Sequence, residues 1–343
     1  MKIIYGIPDR FGKYDLETSV SESNPGGGIS TKAQRVYEAW NEWYDDVEMV
    51  EKWWELTQYP ASYLVIDPLS FVFAPNVEAV IEVYEQHPAH FKILYGSELS
   101  ILEIPYDLRQ RIVDASTFVT TCCKFQEDIF HAINIKSTRF ADPVPENVFY
   151  NPKHKKELSV VACGSISDCK QSYKTIEIFK ALEGKMKRIY VGGADLWGDT
   201  SQENLRLESE MRHVVEEFYY NVPQSKVAKI FAQAACGIFD TAHETYSESN
   251  AEFLMAGGRA YYGLHQLWRE RPGVYGLTDP LSFVNAISSE TQEFKQVPAD
   301  EKREASETWA LKNCSYTAFM AQWKEIIRQC QMISSTNSVQ PHT

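Results

Sequence analysis

Short apolar runs alternate with amphipathic stretches along most of this chain. That alternation folds as parallel sheets covered by helices on both faces. Lys2–Ile7, Tyr63–Asp67, Phe91–Tyr95 and Thr117–Thr121 read as buried strands, since their runs of β-branched, aliphatic and aromatic residues suit a sheet interior. Asn76–Gln86, Leu108–Ser116 and Phe125–Ile133 read as the intervening helices. After Gly26-Gly27-Gly28, with Ser30 or Thr31 expected as its cap, a further helix is predicted. Val36, Trp40, Trp43, Val47, Val50 and Trp54 recur along it at alternating spacings of four and three, which predicts one long helix with an aromatic stripe in the core.

Ala141 to Tyr150 interrupts this pattern with Pro143 and Pro145 and leads into the charged stretch Lys153–Glu157, so a linker is placed there. The alternation then restarts: strand Leu158–Cys163, helix Gln171–Leu182, strand Arg188–Val191, helix Leu205–Glu217, strand Phe218–Tyr220, helix Gln224–Ala234 and strand Ala234–Phe239. A long helical region follows at Ser306–Gln331. The expected fold class is α/β, with two Rossmann-like domains whose parallel sheets face each other across a cleft. The expected boundaries are 1–150, 151–310, a C-terminal helix over 311–332 that crosses back to the first domain, and a frayed tail over 333–343.

The length of 343 residues is more than one ordinary core accommodates. Its 44% hydrophobic content is that of a globular chain, and no run approaches a membrane span. Met1–Gly6 begins a strand and lacks the apolar region of a signal peptide. Seven scattered cysteines without a repeated Cys-x-x-Cys spacing argue for reduced thiols and a cytoplasmic location, and against a zinc site. Residues 1–150 carry 12 Lys and Arg against 23 Asp and Glu, and the remainder carries 22 against 24. An acidic first half disfavours broad contact with a nucleic-acid backbone.

The segment from His243 to Glu252 lies between the strand Ala234–Phe239 and a helix expected from Glu252 to Ala256, ended by Gly257-Gly258. Backbone N–H groups of Ser247 and Ser249 at that helix N-terminus suit an anion such as phosphate. Glu244 and Glu252 flank this point, and Glu252 is placed to accept hydrogen bonds from paired sugar hydroxyls. His243 and Tyr246 read as structural residues. The loop Gly164-Ser165-Ile166-Ser167-Asp168-Cys169-Lys170 also joins a strand to a helix, so Lys170 can meet a phosphate as a point charge. Neither this loop nor Gly26–Gly28 fits the Walker or the Gly-x-Gly-x-x-Gly pattern, which removes the signature of an NTPase or a dehydrogenase.

In the order of these pieces the chain resembles a GT-B fold glycosyltransferase, similar to the family 4 retaining nucleotide-sugar enzymes. The pieces are the glycine loop after the first strand, Pro143–Phe149, Gly164…Lys170, Val222–Phe231, and Glu244 with seven residues before Glu252. The resemblance implies sugar transfer from a nucleotide-sugar, such as a UDP- or GDP-sugar, without a metal. It also implies that Glu252 binds ribose hydroxyls and Glu244 the donor sugar. Lys170, Ser247 and Ser249 would hold the diphosphate, Gly27 and Gly28 would let it and the sugar approach, and Gly164 and Ser165 would join the donor-binding set. Relatives usually carry Arg where Ser165 stands, so Lys174 or Arg259 would have to replace that charge. Glu98 stands near where relatives often have His and is a candidate sugar or acceptor contact. The acceptor is left open among glycan, small molecule and DNA, the last as in phage enzymes acting on modified bases, and oligomeric state is left open too. Sugar-nucleotide epimerisation and a non-catalytic nucleotide- or glycan-binding member of the fold are the alternatives.

Overall fold

The computed structural model describes residues 1–7, 28–96, 99–152, 156–194, 201–242, 246–264, 270–294 and 300–337. The chain divides into two compact units: one formed mainly by residues 32–143 with the chain's beginning and its last helix, the other mainly by Val144–Ser315.

The first unit contains β1 (Ile3–Gly6), most of α1 (Gly28–Asn41), β2 (Val47–Val50), β3 (Tyr63–Ile66), α2 (Leu69–Val72) and α3 (Val77–Gln86). It continues through β4 (Phe91–Gly96), α4 (Tyr106–Ala115), β5 (Phe118–Thr121), α5 (Lys124–Ala132) and β6 (Thr138–Arg139). Its strands are parallel and ordered β2-β1-β3-β4-β5-β6. The two-residue pleat sorts the side chains. Ile3, Tyr5, Tyr63 and Val65 enter one core with Trp40 of α1, while Ile4, Leu64 and Ile66 enter another with α3 and α4.

The stripe from Val36 to Trp54 is not one helix. Helix α1 ends at Asn41, Val47–Val50 is a strand paired with β1, and a 3-10 turn covers Trp53–Gln58. Val47 and Val50 are the two buried ends of a four-residue strand, so their spacing of three imitates a helical face. Trp40 is buried in the core, but Trp43 is 53% exposed and lies under the Lys324 ammonium. The start of α1 at Gly28 puts Ser30 and Thr31 inside the helix rather than at its cap.

The second unit runs through α6 (Glu146–Phe149), β7 (Glu157–Ser165), α7 (Ser172–Ala181), β8 (Lys187–Gly193), α8 (Gln202–Val214), β9 (Glu217–Tyr219) and α9 (Gln224–Gln233). It closes with β10 (Ala234–Phe239), α10 (Glu248–Met255), β11 (Arg259–Gly263), β12 (Val274–Leu277), α11 (Pro280–Phe294) and α12 (Asp300–Asn313). Its parallel strands are ordered β12-β11-β10-β7-β8-β9. One face is covered by α7, α8 and α11 through Phe179, Met211 and Phe283. On another side Phe231, Phe239, Phe253 and Tyr262 form a chain of ring contacts linking α9, α10, β10 and β11.

Sequence reading did not anticipate β2, β6 or β12, which are short strands at sheet edges, nor β11, a buried interior strand of five residues that follows directly on Gly257-Gly258. The helical region expected over Ser306–Gln331 consists of two helices. Helix α12 ends where Cys314 and Ser315 bond back to Ala310 and Leu311, and Val144 takes a 2.7 Å hydrogen bond to the Cys314 carbonyl. Helix α13 (Tyr316–Asn337) then belongs to the first unit, where Phe319 and Trp323 pack on Phe140 and Trp40. Among the described residues no helix is long and apolar enough to cross a membrane.

Candidate functional site

Strands β7 and β10 are neighbours, yet from β7 the chain moves outward to β8 and β9, and from β10 to β11 and β12. Connections leave this pair in opposite directions, so a crevice opens beyond their carboxyl ends, where open parallel sheets bind ligands. The loops that start there are tied together: the Ala242 N–H donates to the Cys169 carbonyl at 2.8 Å.

The β7–α7 loop depends on close backbone approach. A side chain on Gly192 would meet the Gly164 carbonyl oxygen at 1.8 Å, and both glycines hold φ near +140°, at +139° and +146°. Ser165 is buried at the strand end, and the Tyr190 hydroxyl donates to the Gly164 carbonyl. Lys170 is half-buried, and its aliphatic stem runs about 3.9 Å from where a Gly164 Cβ would stand. Gln171, left-handed at φ 50°, turns the chain into α7.

In the β10–α10 loop, the helix begins at Glu248, four residues before the expected start at Glu252. Ser247 is its N-cap, with extended backbone and a side chain that accepts from the Asn250 N–H. Glu248 is an acidic residue in the first turn, which complements the helix dipole. Ser247 and Ser249 hydroxyls lie 3.3 Å apart. Glu252 falls in the second turn and is 4% exposed. Gly28 is the first residue of α1, while Gly27, Glu98, His243 and Glu244 lie outside the described residues.

Neither residue considered as a replacement for the missing arginine is placed to serve. The Lys174 ammonium stands 2.7 Å from Asp240 Oδ2, whose side chain is 1% exposed, so a carboxylate already balances its charge. The contact is close in distance but lies outside hydrogen-bonding geometry, and it is therefore Coulombic in character. Asp240 in turn requires Gly263, because a Cβ there would come within 1.8 Å of Asp240 Oδ1. Arg259 begins β11, at the end of the sheet opposite the loops.

A residue absent from the sequence reading holds the first turn of α10. Arg271 is 3% exposed, and its Nη1 donates to the Ser247 carbonyl at 3.0 Å and to Asn250 Oδ1 at 2.7 Å. Within the charged run Arg269-Glu270-Arg271 it reads as a solvated surface residue, and no local spacing marks it out.

No protein-family model matches the chain, and no curated protein matches it in sequence. Solved structures do match it along nearly its whole length. A sucrose-phosphate synthase from Thermosynechococcus elongatus superposes with a TM-score of 0.73 at 13% identity, covering 97% of this chain and 100% of that one. The fold is GT-B. HepE from Anabaena in complex with UDP-glucose shares this GT-B arrangement at a TM-score of 0.67 and 11% identity, covering 96% and 100% of the two chains. An alpha-glucosyltransferase in complex with UDP and a 13-mer DNA gives a TM-score of 0.64 at 9% identity, with coverage of 96% and 100%.

Proposed function

We propose that this protein is a retaining glycosyltransferase, akin to family 4, that moves a hexosyl or pentosyl group from a nucleotide-sugar to an acceptor. The observation that carries the reading is the pair of joined loops at the β7/β10 switch point, which bring Lys170 and the N-terminus of α10 to one crevice. UDP or UDP-glucose is present in two of the similar structures, which favours a UDP-sugar as donor.

In this reading the bond between the anomeric carbon and the diphosphate oxygen breaks, and the diphosphate leaves with the electron pair. A new bond forms from the acceptor oxygen on the same face of the sugar, and the acceptor proton is passed to the departing phosphate. Lys170 and the first-turn N–H groups around Ser247 and Ser249 stabilise the charge growing on that phosphate. Glu252 accepts hydrogen bonds from the ribose, and Glu244 accepts from the donor sugar. Gly27, Gly28, Gly164 and Ser165 leave room for the diphosphate. Glu98 contacts sugar or acceptor. No metal enters this scheme. The second unit is taken as the donor side and the first as the acceptor side, in a reducing cytoplasmic compartment consistent with seven free cysteines.

Incubation with a panel of nucleotide-sugars, with and without glycan, small-molecule and DNA acceptors, tests this. Release of free nucleoside diphosphate is expected with at least one donor. A folded protein that releases none from any donor would point to a non-catalytic binder, and donor isomerisation without release would mean epimerisation. A DNA acceptor is the second reading, favoured by the alpha-glucosyltransferase solved on DNA and opposed by the acidic first half of this chain.

A further inference from the structure

We propose that the groove between Pro272 and the outward face of α12 binds a neutral oligosaccharide. It shares no residue with the donor crevice and does not depend on the donor reading. The groove measures about 670 Å³, within the range of pockets that take small ligands. Both of its walls are anchored. The Pro272 carbonyl accepts from the Tyr262 hydroxyl at 3.1 Å, and Tyr262 stacks on Tyr275 with centroids 4.4 Å apart. Helix α12 turns Ser306, Glu307 and Ala310 inward, where Glu307 pairs with Arg303 at 2.5 Å. Glu304, Ala305, Thr308 and Lys312 remain exposed on its other side.

Helical spacing arranges that side in two rows. Glu304, Thr308 and Lys312 succeed one another at intervals of four, as do Ala305, Trp309 and Asn313. Each row rises about 12 Å along the helix, which is the reach of a short oligosaccharide rather than of a single ring. Trp309 is half-buried in the middle of its row, and Arg271 packs 5.4 Å from its ring centroid. An indole at that depth offers an apolar platform with the polar row alongside. A sugar ring matches this, since it pairs an apolar C–H face with a rim of hydroxyls. Elsewhere on the second unit long charged side chains are paired along their helix, as Arg206 is with Glu203 and Glu210. Here Thr308 separates Glu304 from Lys312, and none of the three makes a side-chain hydrogen bond or ion pair among the described residues. Their donors and acceptors are therefore open to ligand hydroxyls. One carboxylate and one ammonium leave the row neutral, so it holds no attraction for a nucleic-acid backbone or another polyanion. Polar groups left without partners also make it unsuited to an acyl chain.

Saturation-transfer NMR and calorimetric titration with maltotriose, cellotriose and mannotriose test this, with thermal unfolding as the folding control. At least one trisaccharide is expected to bind the wild type in the millimolar range. Trp309→Ala is expected to weaken that sugar about tenfold and Glu304→Gln about threefold. Ala305→Arg fills the groove from a solvent-exposed position and is expected to abolish binding, and it carries the test should Trp309→Ala fail to fold. A wild type that binds none of the three sugars at millimolar concentration would overturn the proposal, as would sugar binding that folded Ala305→Arg leaves unchanged. Sedimentation showing a wild-type dimer that Ala305→Arg dissociates would overturn it too, because the occupant would then be a second copy. UDP affinity, measured on the same samples, is expected to be equal in all of them. A wild type that binds sugar in the groove but no nucleoside diphosphate would overturn the donor reading and uphold this one.

Discussion

Lys170 and Lys32 show what burial does to two lysines that follow glycine loops. Lys170 keeps part of its surface in water, with its stem laid across Gly164. On the proposed chemistry, Lys170→Ala should lower turnover by about 10²–10³ while leaving nucleoside binding nearly intact. Donor hydrolysis at saturating donor measures this, and near-equal rates would make it a surface lysine. Glu252→Gln keeps the shape of a buried side chain and should weaken nucleotide binding by about 1–3 kcal/mol, read by calorimetry. Lys32 is 4% exposed, lies 2.5 Å from Asp67 and is centred over the Tyr95 ring, whose hydroxyl donates to Asp142. Burial opposes its charge, but Asp67 and Asp142 outweigh it and hold its pKa well above the usual lysine range. Lys32→Met strands a buried carboxylate and should cost about 3–5 kcal/mol in denaturant unfolding. The double variant with Asp67→Leu should recover part of that loss, and no recovery would show that the pair is not coupled.

At the scale of the element, α10 is fastened at both ends. Its N-terminus is held by Arg271, and its C-terminus ends in a glycine cap, with Gly257 at φ +72° and the Gly258 N–H bonded to the Phe253 carbonyl. Lys156 completes that end, donating to the Ala256 carbonyl at 2.7 Å and to the Phe231 carbonyl near the end of α9 at 3.1 Å. Burial, with repulsion from Arg303 and a smaller opposing pull from Glu307, brings Lys156 down to about 7. Between pH 7 and the ordinary lysine value near 10.5 the unfolded chain holds a proton that the folded one has shed, so stability rises with pH across this window. Below pH 7 the full cost of the buried charge is present. Unfolding by urea should show a rise of about 1–4 kcal/mol from pH 7 to 10, and Lys156→Met should flatten it. A wild-type profile without that rise would mean that the helix-end carbonyls keep the lysine charged.

For the whole molecule, α13 decides how much of the chain the first unit needs. Phe319, Met320, Trp323 and Ile326 fill the same core as Ile3, Tyr5 and Trp40, although they follow them by some three hundred positions. A chain ending at Ser315 leaves that core open to water. Since losing one buried Trp or Phe costs about 3–5 kcal/mol and one buried Met or Ile about 2–5 kcal/mol, the first unit should not survive the loss of all four. Near-UV circular dichroism during urea unfolding checks this. The truncated chain should lose the transition of the first unit and keep that of the second, and two intact transitions would reject it.

Local chemistry is what the sequence determined by itself. Buried parallel strands announce themselves as unbroken apolar runs, so the α/β class was legible from Tyr63–Asp67, Phe91–Tyr95, Leu158–Cys163 and Ala234–Phe239, whereas GT-B was legible only through a resemblance in the order of the loops between such strands. The glycine stop at Gly257 was legible too, because only glycine enters that backbone region cheaply. Tertiary structure decided what depends on distant partners. Val47–Val50 became a strand because β1 offered it an edge, against a spacing that suited a helix. Lys174 lost its availability to Asp240, 66 positions away, and Arg271 gained a place under α10 through Ser247 and Asn250, both more than twenty positions away. Charge and spacing along a chain say nothing about which opposite group will be buried beside it, and that pairing is what separates a phosphate-binding cation from a structural one.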